Sequence, residues 1–277
     1  MARRFKQVDV FTDRPFTGNP VAVVLDAEGL APAEMQRIAG WTNLSETTFV
    51  LPSQVADYRL RIFTPRQELP FAGHPSLGSA HAVLEARLVR RGKTLVQECL
   101  AGKVELSVDD GAIFLRAPQP KITTLANIAS AAGIPLAPAA PLLRVDVGPV
   151  WLVGEMTDAA ALAALTPDMT ALAEWTRSLE ATGVTLFAAS GESSSAIHVR
   201  SFAPAHGIAE DPVCGSGNIC VAAHLRHHGD RRFGSAYVAR QGMQLGRDGR
   251  VSVRIAAERI DIGGRAVTCV EGTLKAA

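Results

Sequence analysis

The chain has 277 residues, enough for one large domain or two smaller ones with a well-filled core. Hydrophobic residues make up 47% and charged residues 20%, with a formal net charge of +1. Nothing in that balance argues for a nucleic-acid or anionic-membrane partner, and no Lys/Arg run exceeds pairs such as Arg3-Arg4 and Arg90-Arg91. The start, M-A-R-R-F-K-Q-V-D-V, carries no apolar stretch of signal-peptide length, and no window is long enough to span a bilayer. The four cysteines (Cys99, Cys214, Cys220, Cys269) are scattered, which points to reduced thiols in a cytoplasmic protein.

In chain order, the elements repeat. V-D-V occurs at Val8–Val10 and again at Val145–Val147, each followed by a β-rich run, V-A-V-V-L and then V-W-L-V. A helix is expected to start at Pro32-Ala33-Glu34 and another at Thr166-Pro167-Asp168. Strands follow, T-T-F-V-L in one half and V-T-L-F-A-A in the other. Then R-I-F-T-P (Arg61–Pro65) is matched by R-S-F-A-P (Arg200–Pro204). F-A-G-H-P-S-L-G-S-A-H-A-V-L is matched by V-C-G-S-G-N-I-C-V-A-A-H-L. The arginines are offset by 139 and Gly73 and Gly215 by 142, so the second half carries about three extra residues there. Four matched signals in one order indicate a duplication. The helices after the glycines are small or apolar on nearly every side, as buried helices are. Alternating strands follow in both halves, L-V-Q-E-C-L, V-E-L-S-V and A-I-F-L-R, then A-Y-V-A-R-Q and V-S-V-R-I. The expected fold is a sheet curling round one buried helix, made twice, with Pro118–Asn127 as linker.

Candidate chemistry gathers at the two glycine turns. Gly73-His74 and Gly215-Ser216 each open a buried helix, where unpaired N–H groups and a partial positive charge favour an anion. Two such starts across a cleft would cradle a small carboxylate. The plainer alternative is that Ser216 caps its helix and the glycines only turn the chain. Glu46, in N-L-S-E-T-T-F-V, lies at the mouth of an apolar strand, where desolvation can raise its pKa and suit it to give and take a proton. The matching place in the second half, near Val184, has no acid. Asp211, fixed by the following proline, could contact a substrate, orient His74, or simply close an Asx turn. His74 could donate to a substrate or be structural.

Cys214 precedes a helix start, a position that can depress a thiol pKa. A two-thiol racemase needs a second cysteine, and the matching residue is Ala72. Cys99, Cys220 and Cys269 read as small buried apolar residues. Cys214, Cys220, His224, His227 and His228 are close in sequence but fit no zinc-ligand spacing, and no phosphate loop or dinucleotide fingerprint appears. No metal site is expected from these residues.

V-D-V-F-T-D-R-P-F-T-G-N-P-V-A-V-V, N-L-S-E-T-T-F-V, F-T-P-x-x-E-L-P-F-A-G-H-P and E-D-P-V-C-G-S-G together resemble the phenazine biosynthesis PhzF-like family over nearly the whole chain. The resemblance implies an α+β, diaminopimelate epimerase-like fold: two pseudo-symmetric lobes, each a β-barrel wrapped around a central buried helix. The N-terminal lobe would span 1–118, completed by a C-terminal strand from 266–277, and the C-terminal lobe 125–265, with the active site between them. It implies a cofactor-free, homodimeric isomerase moving a proton on a small carboxylated substrate, of the trans-2,3-dihydro-3-hydroxyanthranilate isomerase type. Glu46 would carry the proton and Asp211 and His74 would assist. Ser216, with the backbone N–H groups of Gly73 and Gly215 and with Cys214 beside them, would hold the carboxylate. Cys214 departs from the pattern, since many members carry threonine there. That leaves two alternatives: an amino-acid racemase or epimerase with Glu46 and Cys214 as opposed bases, and a non-catalytic carboxylate binder.

Overall fold

The computed structural model describes residues 2–90, 92–125, 134 and 141–275. The elements run β1 (Ala2–Val10), β2 (Asn19–Val24), α1 (Pro32–Thr42), β3 (Thr47–Leu51), β4 (Tyr58–Phe63), β5 (Glu68–Leu69), α2 (Gly73–Glu85), β6 (Thr94–Cys99), β7 (Gly102–Asp109) and β8 (Ala112–Arg116). They continue with β9 (Lys121–Thr124), β10 (Leu143–Asp146), β11 (Val150–Glu155), α3 (Ala159–Ala164), α4 (Met169–Ser178), β12 (Gly183–Glu192), β13 (Ser195–Ala203) and β14 (Ile208–Asp211). The last are α5 (Gly215–His227), β15 (Ala236–Gln241), β16 (Gly249–Ile255), β17 (Ile260–Gly264) and β18 (Ala266–Lys275). No helix among the described residues is long and apolar enough to cross a membrane.

The chain divides into two compact units, Met1–Leu115 with Gly263–Ala277, and Arg116–Ile262. In the first, β1 pairs antiparallel with both β18 and β2. β2 then runs parallel to β3, β3 antiparallel to β4, and β4 parallel to β6, which leads by antiparallel pairs to β7 and β8. The second unit repeats this order: β9–β10–β11, β11 parallel to β12, β12–β13, β13 parallel to β15, then β15–β16. Even the short β5 on β4 has its counterpart, β14 on β13. The duplication is thus a duplication of topology. Each unit has the α+β, diaminopimelate epimerase-like architecture, a sheet wrapped round a buried helix.

The helix ends follow from their sequences. Pro32 pre-sets the first turn of α1, and the Glu34 carboxylate accepts from the Ala31 N–H at 2.9 Å. Asp168 caps α4 by accepting from the N–H groups of Thr170 and Ala171. The six-residue α3, capped by Asp158, has too short a pattern to read from sequence. The expected linker needs correction: Lys121–Thr124 of it pairs with β10 as a strand, and Asn127 lies outside the described residues. The small residues of α2 have a steric cause. A Cβ on Gly78 would stand 2.4 Å from Val21 Cγ1 and 2.9 Å from Val10 Cγ2, so only glycine lets the helix lie this close to β1 and β2.

A matched ion pair ties the segment before each buried helix to the sheet. Arg61 donates through Nε and Nη2 to the two carboxylate oxygens of Glu68, at 2.7 and 2.6 Å, joining β4 to β5. Arg200 does the same to Glu210, at 2.9 and 2.8 Å, joining β13 to β14. Arg200 Nη1 also donates to the carbonyls of Leu162 and Leu165. The second pair is the more buried, with side chains 6% and 7% exposed against 16% and 22%. Removing one partner strands the other charge in low dielectric. Glu210→Ala is therefore expected to lower the unfolding free energy by about 3–5 kcal/mol, and Glu68→Ala by less. Denaturant unfolding measures both, and equal losses would deny that burial sets the difference.

Candidate functional site

The first unit builds an acid–imidazole contact. α1 ends at Asn43, held in the left-handed region at φ 54°. The Thr42 and Thr47 hydroxyls, 2.6 Å apart, close the turn between helix and strand. Inside that turn, the Glu46 carbonyl accepts from the Ala22 N–H at 3.4 Å, which fixes the residue at the mouth of β3. His74 is the second residue of α2, a helix whose N-cap is Ala72 and which no side chain caps. Its Nε2 lies 3.3 Å from Glu46 Oε2, with side chains 11% and 16% exposed. The pair is within reach but is not aligned as a hydrogen bond. Burial raises the Glu46 pKa to about 7, opposed by a hydrogen bond with Ser45. At neutral pH both forms of this acid are populated, so it can accept a proton and return one.

The second unit packs its candidates into one turn. Asp211 Oδ1 accepts from the Val213 N–H at 3.0 Å, an Asx turn across Pro212. The N-cap of α5 is Cys214, not Ser216: its Sγ accepts from the Gly217 N–H at 3.2 Å. Glycine is required at 217, where a Cβ would meet Thr185 Oγ1 at 2.7 Å and Ser201 Oγ at 2.8 Å. Ser216 Oγ instead accepts from Trp151 Nε1 at 2.9 Å. Gln241, wholly buried, accepts at Oε1 from Cys214 N and Asn218 Nδ2, and donates from Nε2 to the Asp211 carbonyl. One side chain thus holds both ends of the Asp211–Cys214 turn.

Burial pushes the Cys214 thiol well above its ordinary range, and the charge of Asp211 pushes the same way. Hydrogen bonds with Ser216, Gly217 and Ser201 oppose the shift and lose. A helix start can depress a thiol pKa, but here desolvation of the buried sulfur outweighs the dipole. Cys220 and Cys99 are buried as expected, whereas Cys269 is half-exposed. Cys220 Sγ faces the Val145 carbonyl at 3.9 Å, while His224 packs its ring on Phe187 and His228.

Within the first unit, then, Glu46, His74 and Gly73 come together. Within the second, Asp211, Cys214, Gly215 and Ser216 do. Sequence reasoning missed Trp151 and Gln241. Gln241 could have been found from the duplication, because Gln97 on β6 likewise donates from Nε2 to Ser76 Oγ of α2, at 3.0 Å, and accepts from the Tyr58 hydroxyl.

A family model for phenazine biosynthesis-like proteins, PhzC-PhzF, matches residues 8–272. A Schizosaccharomyces pombe protein named antisense-enhancing sequence 1 is 40% identical, over 97% of this chain and 97% of its own. The trans-2,3-dihydro-3-hydroxyanthranilate isomerase of Pseudomonas chlororaphis is 36% identical, over 96% of this chain and 97% of its own. The crystal structure of a Bacillus anthracis PhzF-family phenazine biosynthesis protein superposes with a TM-score of 0.89 at 27% identity, covering all of both chains.

The raised Glu46 pKa has a consequence for stability. Below pH 4.5 both folded and unfolded chains hold this proton. Between 4.5 and about 7 the folded chain holds more of it, so raising the pH through that window favours unfolding. The full effect, about 3 kcal/mol, is in place above pH 7. Glu46→Gln should remove this component, so wild type loses stability relative to the variant from pH 4.5 to 7. Parallel curves for the two proteins would mean that Glu46 titrates normally.

Proposed function

The chain belongs to the phenazine biosynthesis-like PhzC-PhzF family and is an isomerase of it, and from that premise we propose its reaction. It moves a proton on a small carboxylated substrate of the trans-2,3-dihydro-3-hydroxyanthranilate type, without a cofactor, with Glu46 as general acid/base. One observation carries this reading: a buried acid poised near neutrality, 3.3 Å from a histidine. In its ionised form Glu46 takes a proton from a substrate carbon, and the C–H electron pair enters the adjacent π system. The protonated Glu46 then returns the proton to another carbon of the same system, so atoms and charge balance over the cycle. His74 donates to the group on which charge develops, and Asp211 contacts a polar substituent. Gly73 and Gly215 backbone N–H groups, with Ser216 and the Cys214 turn, hold the carboxylate. Positioning and fixed dipoles supply the rate.

The racemase alternative, with Glu46 and Cys214 as opposed bases, gains no support, since burial shifts the Cys214 thiol away from the thiolate. Against a mere binder stands the Glu46–His74 pair, which only one unit carries. On the family likeness we further propose a cytoplasmic homodimer.

The test is proton transfer in heavy water, followed by NMR, with trans-2,3-dihydro-3-hydroxyanthranilate. Wild type should isomerise it and introduce deuterium, with an inflection in kcat/KM near pH 7. Glu46→Gln should lose about 10²–10⁴-fold in kcat. Undiminished turnover by that variant would sink the reading.

A further inference from the structure

The duplication lets the two units be compared residue by residue, each by its own internal register. Phe63 and Phe202 are the matched phenylalanines of R-x-F-x-P. Phe63 pairs with Thr47 and Phe202 with Val184. The residue before Thr47 is Glu46, and the residue before Val184 is Gly183. The second unit's counterpart of the acid is therefore a glycine. Likewise the residue after Gly73 is His74, and the residue after Gly215 is Ser216. The Glu46–His74 contact of the first unit thus corresponds to a Gly183–Ser216 pair in the second.

The place of the missing acid is filled by an indole. Gly183 pairs with Trp151 across β11 and β12, and a Cβ on Gly183 would stand 2.8 Å from Trp151 Cζ3. It would also stand 2.1 Å from the Phe202 carbonyl oxygen. Trp151, itself 3% exposed, reaches Ser216 with its N–H. Where His74 faces an acceptor, Ser216 faces a donor.

We infer that Trp151 is a positioning residue, which turns the second unit's copy of the acid–imidazole pair into a hydroxyl donor for the substrate carboxylate. An indole N–H can only donate. By occupying a lone pair of Ser216 Oγ, it leaves the hydroxyl proton as that group's outward function. With no anion present, that proton can rest on Cys214 Sγ, 3.5 Å away, a weak acceptor already receiving the Gly217 N–H. A carboxylate is the stronger acceptor and draws it away. Exposure agrees: from Val213 to Leu225, Ser216 alone is not buried. This inference rests on the reading of a carboxylated substrate, and it divides labour, with proton transfer in the first unit and anion capture in the second.

The experiment measures binding of 3-hydroxyanthranilate by calorimetry to wild type, Trp151→Phe, Ser216→Ala and the double variant. Each single variant should weaken binding, Ser216→Ala by about tenfold. The double variant should match Ser216→Ala, because the indole acts only through that hydroxyl. The Trp151 indole N–H resonance should move upfield in Ser216→Ala, a readout that does not require the Trp151 variant to fold. Wild-type affinity in either single variant, further weakening in the double, an unmoved resonance, or no binding by wild type would each overturn the inference. Retained proton transfer in Glu46→Gln would instead overturn the function proposed above while these affinities still decide the role of Trp151.

Discussion

The arginine–glutamate tether fixes where each buried helix begins. In both units a bidentate guanidinium grips a carboxylate four residues before the helix N-cap, Glu68 before Ala72 and Glu210 before Cys214. The same arginines lie over Phe63 and Phe202, so the fork is braced from its own strand. A two-point contact with planar geometry leaves the next few residues little freedom. The turn that follows can then place a histidine or a serine at a fixed height above the sheet. Gln97 and Gln241 add a second brace from the neighbouring strand. Position is secured twice, by a charge pair before the helix and an amide beside it.

Within that frame, one physical effect acts on both candidate proton carriers. Burial raises the Glu46 pKa and the Cys214 pKa alike. For an acid that starts near 4.5 the result is a group poised at neutral pH. For a thiol that starts near 9 the result is a group that stays protonated. The same desolvation makes the carboxyl serviceable and the sulfur inert, so Cys214 serves as a helix cap and Glu46 as the candidate base.

Much of this was legible in the chain. The strands L-V-Q-E-C-L and A-Y-V-A-R-Q appear where their alternation indicates, because period-2 burial leaves a direct imprint on sequence, whereas T-T-F-V-L and A-I-F-L-R are buried at nearly every residue and show instead as short apolar runs. The buried helices were betrayed by their small residues, and Glu46 by standing where polar turn meets apolar strand. Other features left no local imprint. β9 hides in a proline-rich stretch because its pairing with β10 is a tertiary fact. α3 is too short for a periodic signal. The direction of the Cys214 shift depends on how completely the sulfur is covered, which no spacing records. Trp151 reads as one more apolar strand residue until its N–H is seen to meet Ser216.

The asymmetry between the units is anchored in backbone rather than in side chains alone. At position 46 the chain has room for a carboxylate at the strand mouth. At position 183 the equivalent backbone runs against the Phe202 carbonyl, so any Cβ there collides with main chain that has no rotamer to yield. An acid cannot be restored to the second unit by one substitution, because β12 and β13 would have to separate. Trp151 occupies the volume such an acid would need, and Thr185 and Ser201 leave the neighbouring Gly217 equally little choice. A duplicated scaffold has in this way become committed to one acid. The restriction lies in main-chain geometry, which repacking of side chains alone does not relieve.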